Sequence, residues 1–126
     1  MSTSARLFLA LGGVAAALAV ALGAFGAHAL KGRIAPEMLV VWHTGVEYHA
    51  FHALGLLAVG VVAIHLPGSA LLRWSGWLML AGIALFSGSL YILALTSERW
   101  VGAVTPVGGL AFLAAWALFV AAVLRA

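Results

Sequence analysis

Apolar residues run in four long blocks, separated by short clusters of charge, proline, glycine and hydroxyl groups. A membrane helix needs roughly 20 mostly apolar residues. The blocks Leu7 to Leu30, Leu39 to Leu66, Trp74 to Leu95 and Val104 to Leu124 each meet that length. The breaks carry turn chemistry. Lys31 to Glu37 closes the first block, with Pro36 suited to an early helix position. His65-Leu66-Pro67-Gly68-Ser69 closes the second, where Pro-Gly is a strong break, and Thr96-Ser97-Glu98-Arg99 closes the third. Connections this short force successive helices to lie antiparallel side by side. The pattern predicts an all-α fold: an integral membrane antiparallel four-helix bundle, forming a single transmembrane domain over residues 1–126.

Composition narrows the class further. Of 126 residues, 66% are hydrophobic and 7% charged, with a mean hydropathy of +1.21. A soluble domain carries roughly 25% charged residues, so this chain lacks the charge to cover a water-facing surface. The sequence pI of about 10.2 does not point to nucleic acid, because the six Lys/Arg are scattered and form no basic stripe. Cysteine is absent, which excludes disulfides and thiolate metal sites. The first block also resembles a secretory signal, with Arg6 ahead of it and Ala27-His28-Ala29 as a small-x-small site. Its length exceeds the roughly 7–15 apolar residues of such signals, and a membrane span is the expected outcome.

Charge and aromatic positions agree with this threading. Arg6, Arg73 and Arg125 fall on the side holding both termini, and Lys31, Arg33 and Arg99 on the other. That balance leaves the N-terminal amine to favour termini in the cytoplasm. Trp74 and Trp77 are expected to anchor the terminal interface, and Trp42 and Trp100 the opposite one. Ala15, Ala19, Gly23 and Ala27 form an i, i+4 row of small residues along the first helix, with Gly12, Gly13 and Gly26 close by. Such rows permit close helix packing within one chain, or a seam between copies.

The polar groups inside the blocks are not spread evenly. The end of the bundle opposite the termini is expected to gather His28, Lys31, His43, Thr44, Glu47, Tyr48, His49, His52, Ser87, Ser89, Tyr91, Thr96 and Thr105. Polar groups in a bilayer are costly and usually functional, so this end is the candidate site. At about 100° per residue, His43 and Glu47 share one face of the second helix, while Tyr48 and His52 share another, with His49 on its flank. The deeper pair, Tyr48 and His52, is expected to face the bundle. His43 and Glu47 are expected to reach toward the interface or another subunit. For the histidines, a hydrogen-bonded staple between helices is the leading expectation. For Ser87, Ser89 and Thr105 it is bonding back to the helix backbone, and for Thr105-Pro106 it is a helix start capped by the threonine.

No Ser-His-acid series, HExxH, P-loop or dinucleotide fingerprint is present. Further strings carry a resemblance: Gly23 to Lys31, beginning Gly-Ala-Phe-Gly-Ala-His; Thr44-Gly45-Val46 with Tyr48; His52-Ala53-Leu54; Ser87 to Tyr91; and Gly102 to Gly109. In these the chain resembles the YgdD-like family of small four-helix membrane proteins, a domain of unknown function related to the eukaryotic transmembrane protein 256. The resemblance implies a multi-pass protein of the bacterial plasma membrane and no known activity. His28, Lys31, Tyr48 and His52 lie within the family pattern, which favours His28, Tyr48 and His52 as its shared centre. Glu47 and His49 stand where the resemblance implies other polar residues, such as arginine and glutamine.

These readings predict a non-enzymatic membrane protein, a packing or accessory subunit that associates with itself or a larger membrane complex. The alternative is a small-solute or proton-linked transport or binding protein using the polar cluster. Haem or metal binding through His28 with His49 or His52 ranks third. No cofactor, metal or nucleic-acid partner is expected, and the bilayer itself is the principal surrounding.

Overall fold

A computed structural model describes all residues, Met1–Ala126. It contains four helices long and apolar enough to cross a membrane: α1 Thr3–Leu30, α2 Pro36–His65, α3 Ala70–Thr96 and α4 Arg99–Leu124. Each start has a local cause. The Ser2 hydroxyl accepts the Ala5 N–H at 3.1 Å, and the Ser69 hydroxyl accepts that of Leu72 at 3.2 Å, satisfying N–H groups that no helical carbonyl reaches. Pro36 opens α2 at a position where its missing N–H costs nothing. The α4 start differs from expectation. A 3-10 turn, Arg99–Ala103, precedes the α-helix, and Thr105 makes no side-chain cap. Its hydroxyl instead bonds Ser89 on α3 at 2.6 Å.

Consecutive helices pack antiparallel, α1 on α2, α2 on α3 and α3 on α4. Glycines set how closely they approach. On the α1–α2 face the fit is reciprocal. A Cβ on Gly12 would meet the Leu57 backbone N at 2.9 Å, and one on Gly60 would meet the Leu9 backbone N at 2.9 Å. The α3–α4 face has the same device, with Phe112 lying over Gly82 and Phe86 over Gly108. The buried face of α1 is Ala5, Phe8, Gly12, Ala15, Ala19, Gly26 and Leu30. Ala15 and Ala19 therefore belong to the packed face as expected, whereas Ala27 and Gly13 are exposed. The reason is the register: a row drifting in i, i+4 steps leaves the contact line, while the packed face alternates steps of three and four.

Trp74, Trp77 and Trp100 are exposed near the ends of their helices, as interface anchors should be. Trp42 is not. It is buried between α1 and α2, where its indole N–H donates to the Leu22 carbonyl at 2.9 Å. Two segments widen to π-helix, Gly26–Leu30 at the end of α1 and Ile83–Ser87 within α3. Each such turn rotates the residues beyond it relative to a plain α-helix, an offset that no hydrophobic repeat announces.

Candidate functional site

Charged residues bracket the bundle and locate its middle. Glu37 and His65 lie about 42 Å apart along α2 and Arg99 and Arg125 about 39 Å along α4, at 1.5 Å per residue. A bilayer with its headgroup regions is about 40–45 Å thick. The midpoints fall at Phe51 on α2 and Phe112 on α4, and the side chains confirm a common level. The His52 and Phe112 rings stack at a centroid distance of 3.5 Å.

His52 is held from two sides. Nδ1 lies 2.8 Å from the Tyr48 carbonyl, and Nε2 lies 3.1 Å from the Trp116 indole nitrogen. A carbonyl only accepts and an indole N–H only donates. Nδ1 therefore carries the proton and Nε2 accepts. With both nitrogens engaged, the buried imidazole is a neutral bridge between α2 and α4. His49 is buried too, and its Nδ1 pairs with the Tyr91 hydroxyl of α3 at 2.9 Å. The Ser87 hydroxyl donates to the Gly45 carbonyl of α2 at 2.7 Å. Ser89 donates to its own helix at Phe86, 2.8 Å away, while meeting Thr105 across the interface. Thr44 and Thr96 bond back to Val40 and Ile92. No buried side-chain nitrogen or oxygen lacks a partner.

These polar groups staple helices at several depths and do not form one layer. The expected shared centre of His28, Tyr48 and His52 is not assembled. The α1–α2 register pairs Gly12 with Leu57 and Gly26 with Trp42, which sets His28 level with the stretch of α2 just before Trp42. His52 lies about eleven residues further, roughly 16 Å along the axis. That exceeds a helix diameter of about 10–12 Å, and both His28 and Lys31 are exposed. The same separation prevents His28 from sharing a metal or haem with His49 or His52. No group of three or more metal-ligating side chains forms elsewhere.

Tyr48 is the second correction. It is 43% exposed, with one face on Phe86 at 4.5 Å, and it does not point into the bundle. His49 takes the interior direction instead. The cause lies in how α2 is surrounded. It touches α1, α3 and α4, so within the span only Val40, Glu47, Tyr48, Phe51, Leu54, Val61 and Ile64 are left exposed. An expectation of one lipid-facing and one bundle-facing side does not fit a helix packed on three.

What remains open is a groove of about 890 Å³ between α2 and α4. The two helices run parallel and meet through His52, Phe112 and Trp116. Glu47, Tyr48 and Phe51 edge one side, Pro106, Leu110 and Leu113 the other, and Phe86 lies between them. Glu47 is exposed there, about 6 Å from the midplane by helical rise. Trp116 was not singled out by the sequence; an indole deep in an otherwise apolar helix is the signal that could have found it. Ser75, which donates to the Ala115 carbonyl at 2.7 Å, was missed because its end of the bundle reads as wholly apolar.

The family described as "Protein of unknown function (DUF423)" matches residues 22–109. The chain belongs to that family. It is similar to UPF0382 membrane protein YwdK of Bacillus subtilis, with 52% identity over 95% of this chain and 98% of that one. UPF0382 membrane protein SH2409 of Staphylococcus haemolyticus is 44% identical over 91% of this chain and 93% of its own. SSP2132 of Staphylococcus saprophyticus is 45% identical over 91% and 94%. No solved structure matches. With four apolar helices and relatives named membrane proteins, this member of the DUF423 family is a multi-pass membrane protein. The matched stretch runs from the last turns of α1 to the first turns of α4. It includes Ser75 and the other polar side chains that staple the helices of this site; of these only Trp116 lies beyond it.

Proposed function

We propose that this chain is a non-enzymatic binding protein of the bacterial plasma membrane, and that the groove between α2 and α4 receives its occupant from within the bilayer. The observation that supports this is the contrast between interior and groove. Every buried polar group is satisfied inside the chain, whereas Glu47 and Tyr48 stand open at the edge of a concave, aromatic surface. Ligand sites are typically concavities of about 300–1,000 Å³ with a few placed polar groups on apolar walls. The tight, hydrogen-bonded centre is the scaffold and the groove is the working surface. Termini in the cytoplasm, and the YgdD-like kinship with its eukaryotic relation, belong to the same reading.

A packing or accessory subunit is the second reading, and one observation favours it. Ala10, Gly13, Ala17, Ala21 and Ala24 are all exposed on α1, a smooth outward strip of the kind that lets membrane helices approach. Native mass spectrometry of the full chain released from lipid nanodiscs separates the two. The binding reading expects one apolar molecule retained per chain, lost when Leu113→Trp fills the groove. A bare monomer in both proteins contradicts it. A dimer or higher assembly that Gly13→Leu disperses, with no bound small molecule, selects the accessory reading instead.

A further inference from the structure

We infer that the groove is a site for a lipophilic organic cation, an amine or onium group on an apolar body, with the Glu47 carboxylate as its counter-ion. This rests on the binding reading above and names the class of occupant.

The argument begins with depth. Glu47 sits four residues from the midplane of α2 on the strip of that helix left open. A carboxylate facing hydrocarbon is unfavourable and needs neutralisation by a proton or by a cation. The chain offers no fixed cation at that level. Its Lys and Arg residues, Arg6, Lys31, Arg33, Arg73, Arg99 and Arg125, all lie toward the helix ends. His43, one turn along α2, lies nearer the end; Nδ1 of His49 and both nitrogens of His52 are engaged in other contacts. A counter-ion for the ionised carboxylate therefore comes from outside, and at this depth it must be soluble in lipid.

The walls select among lipid-soluble cations. Tyr48, Phe51, Phe86, Phe112 and Trp116 present aromatic rings along the groove, and ring faces attract ammonium and onium groups, more strongly where water is excluded. Tyr48 leans on Phe86, and Phe51 stands 5.9 Å from Trp116, so the rings form a continuous surface. A fatty acid or other anion would meet Glu47 as a like charge. An uncharged acyl chain would fill the groove but make no use of the carboxylate, which only a proton could then neutralise. A transmembrane helix from a second copy in the same orientation would bring the same residues to the same level, and again no cation.

The test uses radiolabelled tetraphenylphosphonium and the full chain in nanodiscs, with empty nanodiscs as background. Saturable binding of one cation per chain is expected. Glu47→Gln should weaken it at least tenfold, Glu47→Asp should keep part of the affinity, and Leu110→Trp should block it. Glu47 is exposed, so these carboxyl variants leave the packed core untouched. Uncharged tetraphenylmethane should not compete at comparable concentration. Saturable binding that Glu47→Gln leaves unchanged overturns the counter-ion role. No saturable cation binding, with an uncharged molecule still retained in native mass spectra, overturns the cation class but leaves the binding reading standing. Neither cation nor neutral molecule in the groove, or Leu110→Cys cross-linking to a second copy, overturns both.

Discussion

Gly108→Ala should destabilise the protein strongly, while Gly109→Ala, one residue along, should be nearly silent. A Cβ on Gly108 would press on the Phe86 backbone nitrogen and Cα, which belong to α3 and cannot swing aside. A Cβ on Gly109 would meet only the Phe86 ring, at 3.9 Å, an ordinary contact. Forcing a methyl into a well-packed interface costs roughly 1–3 kcal/mol, occasionally more. The upper part of that range is expected for Gly108, because relief requires α3 and α4 to separate. Separation would also stretch the Ser89–Thr105 bond and move the Phe112 ring off Gly82. Unfolding of both variants in mixed micelles, followed by circular dichroism against denaturing detergent, checks this. Equal midpoints would show that α3 and α4 are not packed through Gly108.

The His52–Trp116 pair should give the second large effect. His52→Ala removes a buried ring stacked on Phe112 and both hydrogen bonds, and a truncated buried ring of this size costs about 2–4 kcal/mol. Trp116→Phe leaves most of the packing but strands the Nε2 acceptor. A double-mutant cycle isolates the hydrogen bond. Interhelical bonds in membranes average only about 0.6 kcal/mol and reach about 1.7, so a coupling in the upper part of that range is expected for a bond near the midplane. A coupling indistinguishable from zero would mean that the indole and the imidazole do not meet.

Much of the fold is legible in the sequence, for clear physical reasons. Long apolar blocks, Pro-Gly breaks and the paired arginines at the ends depend on local composition, and a bilayer permits few other answers. The helices extend past the apolar blocks, as at Thr3 and Pro36, because a polar first turn at the interface meets water and loses nothing. Angular detail was less legible. The pairing of Tyr48 with His52 by an i, i+4 step is right for the helix surface, yet one is exposed and the other buried. The Trp116 indole covers the His52 level, while Tyr48 sits where the groove is open. That difference arises from α4, about sixty residues downstream, and no window on α2 contains it.

The layer expected from His28 to Thr105 failed for a related reason. Reading both helix ends as one zone overlooks that α1 reaches His28 close to its end, whereas His49 and His52 lie near the middle of α2. His49 and His52 staple helices as expected and His28, exposed at the end of α1, does not; the identity of each partner depends on register. The π-helical turn Ile83–Ser87 lies near the same level and carries Ser87 to the Gly45 carbonyl. Such widened turns recur at functional sites, and this one backs the groove through Phe86.

The central claim is that a carboxylate faces hydrocarbon, about four residues from the middle of a helix that is otherwise well covered. Power-saturation electron paramagnetic resonance tests it most directly, with a nitroxide on Glu47→Cys in nanodiscs and Val20→Cys on α1 as the lipid-facing reference. Both labels should be readily relaxed by oxygen and barely by a water-soluble nickel complex, giving depths well inside the hydrocarbon. A label at position 47 that collides freely with nickel, or with neither reagent, would place that side chain in water or against another protein surface and contradict the account.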